Sequence, residues 1–511
     1  MHFNKGQVAN ILRTVDLGSS VAEKDDLLES ARVETSLFSD LLADRVDLVP
    51  GSKGSGKSAL YRMFVDFLAP QLLKDRKVVV AHGVQAHGDN VFHAFKERFQ
   101  RLSEAEFVDF WCIYLVSLAH EQFLKSADYA SYLSHCGSEI DAFRRACDDA
   151  GIPEITARKS LRDVLDWVLN ALQRLRPKVA YVYPEGGKVE LTLFGDLPAD
   201  AATTPPTGDP HLPRYVGGIK AALEAVLTRA DLSLWLMVDR LDEIFPRRSA
   251  LETKALRGLL RTLDIFESKQ IRVKVFLRDD ILDQVTTGGQ GFTALTHVMA
   301  RGAATLKWSP DDILMLILKR LFASNKLCVF LGVERDRLSA SQDYRLEAFY
   351  KVFPNTVYSP PAQSRTLKWI YSHTKDGRGV VTPRDVIDLL THAKQHQQDE
   401  FQQDPIGTTD SLIGSAAIRY GLAELSKIKR DKVLKAELPH LWPDIAKFMG
   451  GKTEYSVGAL RKLLGPSSGT TINDLVSIGL LELMRPKAGG TSYKVPSLYR
   501  DGLELTQGRQ D

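Results

Sequence analysis

Residues Gly51, Ser52, Lys53, Gly54, Ser55, Gly56, Lys57 and Ser58 fit the pattern G-x-x-x-x-G-K-[ST] at every position. Glycines let a backbone curl until successive N–H groups point at one centre, and a helix opening behind them adds its partial positive charge. Such a cradle suits the phosphates of a nucleotide. Lys57 is spaced to reach the β- and γ-phosphates, the Ser58 hydroxyl to ligate Mg2+, and Ala59 continues the cradle into the helix. A glycine-rich surface turn is the plain alternative. It does not account for the context, an apolar run (46–49) before the loop and the helical stripe of Leu60, Phe64, Phe67 and Leu68 after it.

A second group of residues complements the first. LSLWLMV (232–238) runs into Asp239-Arg240-Leu241-Asp242-Glu243. A magnesium beside phosphates needs an acid at the end of a buried strand, and Asp239 is the first acid there. Asp242 and Glu243, three and four residues on, are rival general bases for the attacking water. Arg278 ends the run IRVKVFLR, where a cation can sense the γ-phosphate or simply pair with Asp279 or Asp280. Thr382-Pro383-Arg384-Asp385 opens a helix with a threonine cap and proline at its first position, so Arg384 sits on the first turn as a second sensor or as a surface arginine. Arg301, Arg247 and Arg248 are candidates for a finger acting on a neighbouring subunit. No N-K-x-D motif for guanine occurs, which favours ATP.

Positioning these residues requires a parallel α/β sheet. Strands are expected at 46–49, 77–82, 232–238, 271–277 and 303–308, alternating with helices such as 252–268. A helical insertion is expected over about 90–176, opened by a capping box at Ser103 and Glu106, followed by a β-hairpin at 178–195 and a Pro-, Ala- and Thr-rich connector at 196–213. The expected domains are an ATPase core at 1–308, a helical lid at 309–403 and a C-terminal domain at 404–511. In the last, TEYSVGALRKLLG (453–465) reads as a helix, 470–484 as a second helix running into a strand, and 484–496 as a hairpin, which together make a winged helix. DNA contact through Arg461, Lys462, Arg485, Lys487 and Lys494 is one use of such a domain. The second helix carries Asp474 and no Arg or Lys, which favours a protein partner instead.

The bulk numbers narrow the classes. With 67 basic and 64 acidic residues the net charge is only +3, which excludes a strong global field for nucleic acid. Four cysteines, Cys112, Cys136, Cys147 and Cys328, form no C-x-x-C pair and read as reduced thiols. No apolar run approaches the roughly 20 residues of a membrane helix. The expectation is a cytoplasmic protein without a membrane span.

The blocks GSKGSGKSAL (51–60) and DRLDE (239–243) resemble those of STAND/KAP-like and origin-recognition-like AAA-type bacterial P-loop ATPases. The strand at 77–82, lying between the two motifs in the chain, is similar to the additional-strand division of P-loop proteins. The resemblance covers about residues 14–400. It implies a nucleotide core, a sensor strand, a lid and a C-terminal winged helix, with ATP and Mg2+ as cofactors. It implies a switch that acts on a partner protein or by self-assembly, and for several bacterial relatives a role in defence against phage. Arg240 departs from the pattern, since an ordinary AAA protein has glutamate directly after the magnesium acid. An origin-recognition-type DNA-binding ATPase is the alternative. A processive motor has no supporting motif set.

Overall fold

The computed structural model describes residues 2–83, 99–100, 102–149, 180–182, 188–190, 213–240, 249–287, 299–302, 305–358, 364–465, 468–484 and 491–510. Asp242, Glu243, Arg247, Arg248, Arg485 and Lys487 lie outside these residues, as do 90–98 and 150–176 of the expected insertion and 196–212 of the connector. The chain divides into two compact units, one of Asp40–Gly51 and Leu60–Thr305, the other of Met1–Ser39, Ser52–Ala59 and Leu306–Asp511.

The first unit is built on a parallel sheet of β1 (Leu48–Gly51), β2 (Val78–Gly83), β5 (Ser233–Val238) and β6 (Ile271–Arg278), in the order β1-β6-β5-β2. Uninterrupted apolar runs suit strands covered on both faces, and Val79, Ala81, Leu234, Leu236, Val238 and Val275 are all buried. β6 stands between the strand that leads into the glycine loop and the strand that ends at Asp239. The additional strand is therefore Ile271–Arg278; the strand near 77–82 lies at the sheet edge beyond β5. The fifth strand expected over 303–308 does not form among the described residues, and β1 carries on its outer side only a single parallel bridge, Leu48 to Gly302. The Trp308 carbonyl accepts instead from the Tyr371 hydroxyl at 3.0 Å, a side chain replacing a ladder partner.

Helix α1 (Lys57–Arg62) follows the glycine loop. Helix α2 (Glu104–Ala119) starts at the expected capping box, in which the Glu106 amide donates to Ser103 Oγ at 3.3 Å and the Ser103 amide to Glu106 Oε2 at 2.7 Å. Phe107 through Ala119 are all buried, the signature of a helix packed on every side. The Trp111 indole N–H donates to the Ala255 carbonyl at 2.8 Å, and α3 (Gly137–Asp149), α4 (Pro213–Arg229) and α5 (Ala250–Ile265) complete the layer. Gly258 lets α5 close on α2, since a Cβ there would stand 2.7 Å from Phe107 Cβ. The segments β3 (Ala180–Val182) and β4 (Lys188–Glu190) pair antiparallel. The four cysteines form no disulfide, and Cys112, Cys136 and Cys147 are buried.

At the amino end of this sheet lies an ion cluster. Lys274, fully buried, donates to Asp44 at 2.6 Å, to Asp47 at 3.0 Å and to the Val46 carbonyl at 2.8 Å, with its ammonium 4.4 Å from the Trp235 ring centre. Arg301 belongs to the same cluster, its Nε 2.5 Å from Asp47 Oδ2. The Arg301 guanidinium, a candidate finger from the sequence, is thus engaged within its own unit, at the end of the strands opposite Gly51.

The second unit packs the N-terminal helix Lys5–Leu12 with α6 (Pro310–Leu321), α7 (Pro383–Gln403) and α8 (Ser415–Ile428) around one apolar core. A π-helical turn, Lys429–Lys435, continues α8. The C-terminal part has α9 (Val457–Leu464) and α10 (Ser468–Ser477) with a sheet of β7 (Lys452–Ser456), β8 (Glu482–Met484), β9 (Ser492–Lys494) and β10 (Thr506–Gln510) in the order β8-β9-β7-β10. Residues 453–456, expected as the start of a helix, form a strand. Thr453 and Tyr455 are buried while Glu454 and Ser456 are half-buried, a period of two, and Ser456 then caps α9 by accepting from the Ala459 amide at 3.1 Å. The fold is α/β: a parallel-sheet P-loop core of the additional-strand type, with a helical lid and a C-terminal winged helix. Among the described residues no helix is long and apolar enough to cross a membrane.

Candidate nucleotide-binding site

In the first unit the carboxyl ends of the strands carry the expected groups. Gly51, where β1 leaves the sheet, is in register with Arg278, and β5 ends with Val238 opposite Val275. Asp239 follows and is only 4 % exposed. Arg240 then adopts a left-handed conformation with φ 60°, one of five non-glycine residues to do so among those described. Strain of this kind collects at functional turns. Tyr61, on the edge of the Phe276 ring, donates its hydroxyl to the Gly83 carbonyl at 3.2 Å. Burial, reinforced by the negative charge of Asp239, pushes the Tyr61 phenol far above its ordinary range. Arg278 places Nε 2.9 Å from Asp280 Oδ1 and Nη2 2.7 Å from Asp280 Oδ2, a bidentate pair that realises the pairing alternative.

In the second unit the phosphate loop has the curl that its glycines permit. Gly54 and Gly56 have φ of +80° and +98°. The Ser55 amide donates to the Ser52 carbonyl at 3.1 Å, closing a turn, and Lys57 Nζ donates to the same carbonyl at 3.0 Å. Ser52 Oγ and Ser55 Oγ are buried and make no hydrogen bond among the described residues. A buried hydroxyl without a partner costs about 1–3 kcal/mol, and such groups are expected where a ligand supplies the missing bond.

The lid helix meets this loop. A Cβ on Gly54 would stand 3.2 Å from Arg384 Cβ and 3.3 Å from Thr382 Oγ1. Thr382 caps α7 by accepting from the Asp385 amide at 3.2 Å, and Pro383 occupies the first turn. The positive end of α7 and the stem of the Arg384 side chain thus lie beside the loop. Arg384 Nε donates to the Ser20 carbonyl at 3.3 Å, and the Trp308 indole N–H to the Ser55 carbonyl at 2.7 Å. Neither Trp308 nor Ser20 was singled out from the sequence, because their relation to the loop depends on partners distant in the chain.

The residues fit a nucleoside triphosphate: a loop with two orphaned hydroxyls, a lysine, and a helix amino terminus bearing an arginine. Each unit, taken by itself, carries an oxygen donor of the kind magnesium takes: the Ser58 hydroxyl in one and the Asp239 carboxylate after β5 in the other. Among the described residues no three His, Cys, Asp or Glu side chains converge on a metal position.

No protein-family model matches the chain, and no curated protein matches it significantly. Among solved structures, the chain is similar to the ORC2 protein of Aeropyrum pernix in its ADPNP-ADP complexes, at 13% identity and TM-score 0.38 over 92% of this chain and 93% of that one. It is similar to the ADP form of the same protein at 14% identity and TM-score 0.33, over 93% and 92%. It is also similar to Aeropyrum pernix ORC1 in complex with DNA, at 12% identity and TM-score 0.35, over 95% and 96%. At these scores the overlays establish no residue-to-residue correspondence.

Of the cations named for the winged helix, Arg461 and Lys462 are exposed side by side on α9. Lys494 lies 3.7 Å from Glu454, its cross-strand neighbour, so part of its charge is locally balanced.

Proposed function

We propose that this chain is an ATP-binding and ATP-hydrolysing molecular switch whose nucleotide state is passed to a partner protein or to an assembly. The observation that carries the reading is the phosphate loop with two unpartnered buried hydroxyls, met by the capped, arginine-bearing first turn of α7. Backbone amides of Gly51 to Ala59 and the Lys57 ammonium bind the β- and γ-phosphates. Arg384 adds positive charge from the lid, and Arg278 senses the γ-phosphate once it exchanges Asp280 for it. Bound magnesium would neutralise charge developing on the phosphates, with Ser58 and Asp239 to hold it or its waters. Asp242 or Glu243 orients the attacking water. Arg240, in the position next to Asp239, cannot act as a base, which fits slow or conditional turnover.

Titration with a fluorescent ATP analogue tests the binding step. Lys57→Ala is expected to abolish binding, and undiminished affinity in that variant would refute the assignment. Asp242→Asn and Glu243→Gln, made separately, are expected to preserve binding while one of them stops phosphate release. Normal turnover in both would place the base elsewhere.

DNA binding is the second reading, favoured by the adjacent exposed cations Arg461 and Lys462. It requires salt-sensitive affinity whose log–log slope shrinks when both are replaced by alanine. The resemblance of the two motifs to STAND/KAP-like ATPases supports placing the switch in cytoplasmic defence against phage. Protection that survives Lys57→Ala would argue against that role.

A further inference from the structure

The π-helical turn Lys429–Lys435 and the residues just after it touch three parts of the second unit through charged side chains. Lys429 Nζ lies 2.7 Å from Asp385 Oδ1, and Asp385 is the residue next to Arg384 on the first turn of α7. This pair is buried, with the two side chains 13% and 3% exposed. Two residues beyond the turn, Glu437 forms an ion pair with Lys53 of the phosphate loop. Arg430 Nη1 donates to the Gly502 carbonyl at 3.0 Å, at the end of the winged helix. Gly502 is also fastened from α8, since its amide donates to Ser426 Oγ at 2.7 Å and a Cβ on it would stand 2.3 Å from the Ser426 carbonyl oxygen. One short segment therefore holds the loop, the lid turn beside Arg384, and the wing.

A π-helical turn carries one residue more than an α-helical one and recurs at functional positions. Here it ends the helical run that α8 begins, at the point where Lys429 and Arg430 point to different neighbours. A merely stabilising role would need only the buried Leu434 to anchor the turn. Three charged contacts aimed at the loop, the lid and the wing have no such need.

We infer that Lys429 and Glu437 are positioning residues of the nucleotide site, and that Arg430 ties the same turn to the winged helix so that nucleotide binding is felt there. The inference rests on the nucleotide reading given above. Lys429 keeps the first turn of α7, and with it Arg384, in place. Glu437 fixes Lys53 and therefore the course of the loop between Ser52 and Gly54. Phosphate entering the loop shifts the Lys53 backbone that Glu437 holds, and the intact Lys53–Glu437 pair carries that shift to the turn that bears Arg430.

The test uses the full chain, ATP affinity from a fluorescent analogue, and hydrogen exchange of the amides of residues 499–505 with and without a slowly hydrolysed ATP analogue. The wild type is expected to bind and to change its exchange in that stretch. Glu437→Gln and Lys429→Met are expected to weaken ATP binding about tenfold, while Glu437→Asp and Lys429→Arg restore most of it. Arg430→Ala is expected to keep ATP affinity within about twofold and to lose the exchange response. Wild-type affinity in both Glu437→Gln and Lys429→Met, or an unchanged response in Arg430→Ala, overturns the inference. So does a wild type that binds ATP without altering exchange at 499–505. If Lys429→Met does not fold, Glu437→Gln, at a half-buried position, decides. A wild type that binds no ATP at all removes the nucleotide reading itself, a different result.

Discussion

Gly54 shows how narrowly the loop is built. Its φ of +80° lies where an L side chain is strained, and the Cβ it lacks would press on Arg384 and Thr382. The left-handed conformation costs a non-glycine residue about 1–2 kcal/mol. Gly54→Ala is therefore expected to lower the unfolding free energy by about 1 kcal/mol and to weaken ATP binding, read by denaturant melts and nucleotide titration. The curl at Gly54 and Gly56 was legible, because glycines at that spacing take the positive φ that other residues avoid. Arg384 was half legible: the Thr-Pro-Arg-Asp start fixed its turn of helix, while its proximity to Gly54 depends on how α7 packs. Arg278 illustrates the opposite case. Its position at a strand tip was clear, but which of its two acidic neighbours it would pair with was not, and Asp280 two residues on holds it bidentately.

Elements were read best where burial is simplest. The apolar runs at 232–238 and 271–277 became β5 and β6 within a residue, since a strand covered on both faces has almost no other option. Errors arose where partners decide. The segment 305–308 has strand-like composition but no neighbour to pair with among the described residues, and 453–456 carried a period of two that the following helix masked. The ion cluster at the base of the sheet was invisible in sequence, because Asp44, Asp47 and Lys274 are joined only by the β1–β6 pairing. Replacing a buried cation strands its carboxylates, at a cost of about 3–5 kcal/mol. Lys274→Met is expected to lose stability on that scale in urea unfolding, and a change under about 1 kcal/mol would show the cluster to be screened.

Across the whole molecule, acid should be destabilising. Burial lowers the pKa of His82 and His120 in one unit and of His373 in the other. His373 is stacked on Trp369 at 4.0 Å, with Nδ1 2.9 Å from the Trp369 carbonyl oxygen. A histidine whose folded pKa lies below its unfolded value stabilises the fold above about pH 6.5, and that contribution is lost as pH falls through the folded pKa. Melting temperature is therefore expected to fall between pH 7.5 and 5.5, and His373→Phe to reduce the drop. A flat profile would mean that the buried rings take up protons without penalty.

Thiol chemistry separates the four cysteines sharply. Burial raises the pKa of Cys112 and Cys136, and pushes that of Cys147 up to about 12, so none of these three offers thiolate at neutral pH. Cys328, on a helix of the second unit, is half-buried. Maleimide added to the native chain should therefore give one adduct by mass spectrometry and four after denaturation. The natural sequence thus already provides a single attachment point for a fluorophore or spin probe, with no cysteine to be engineered in or out.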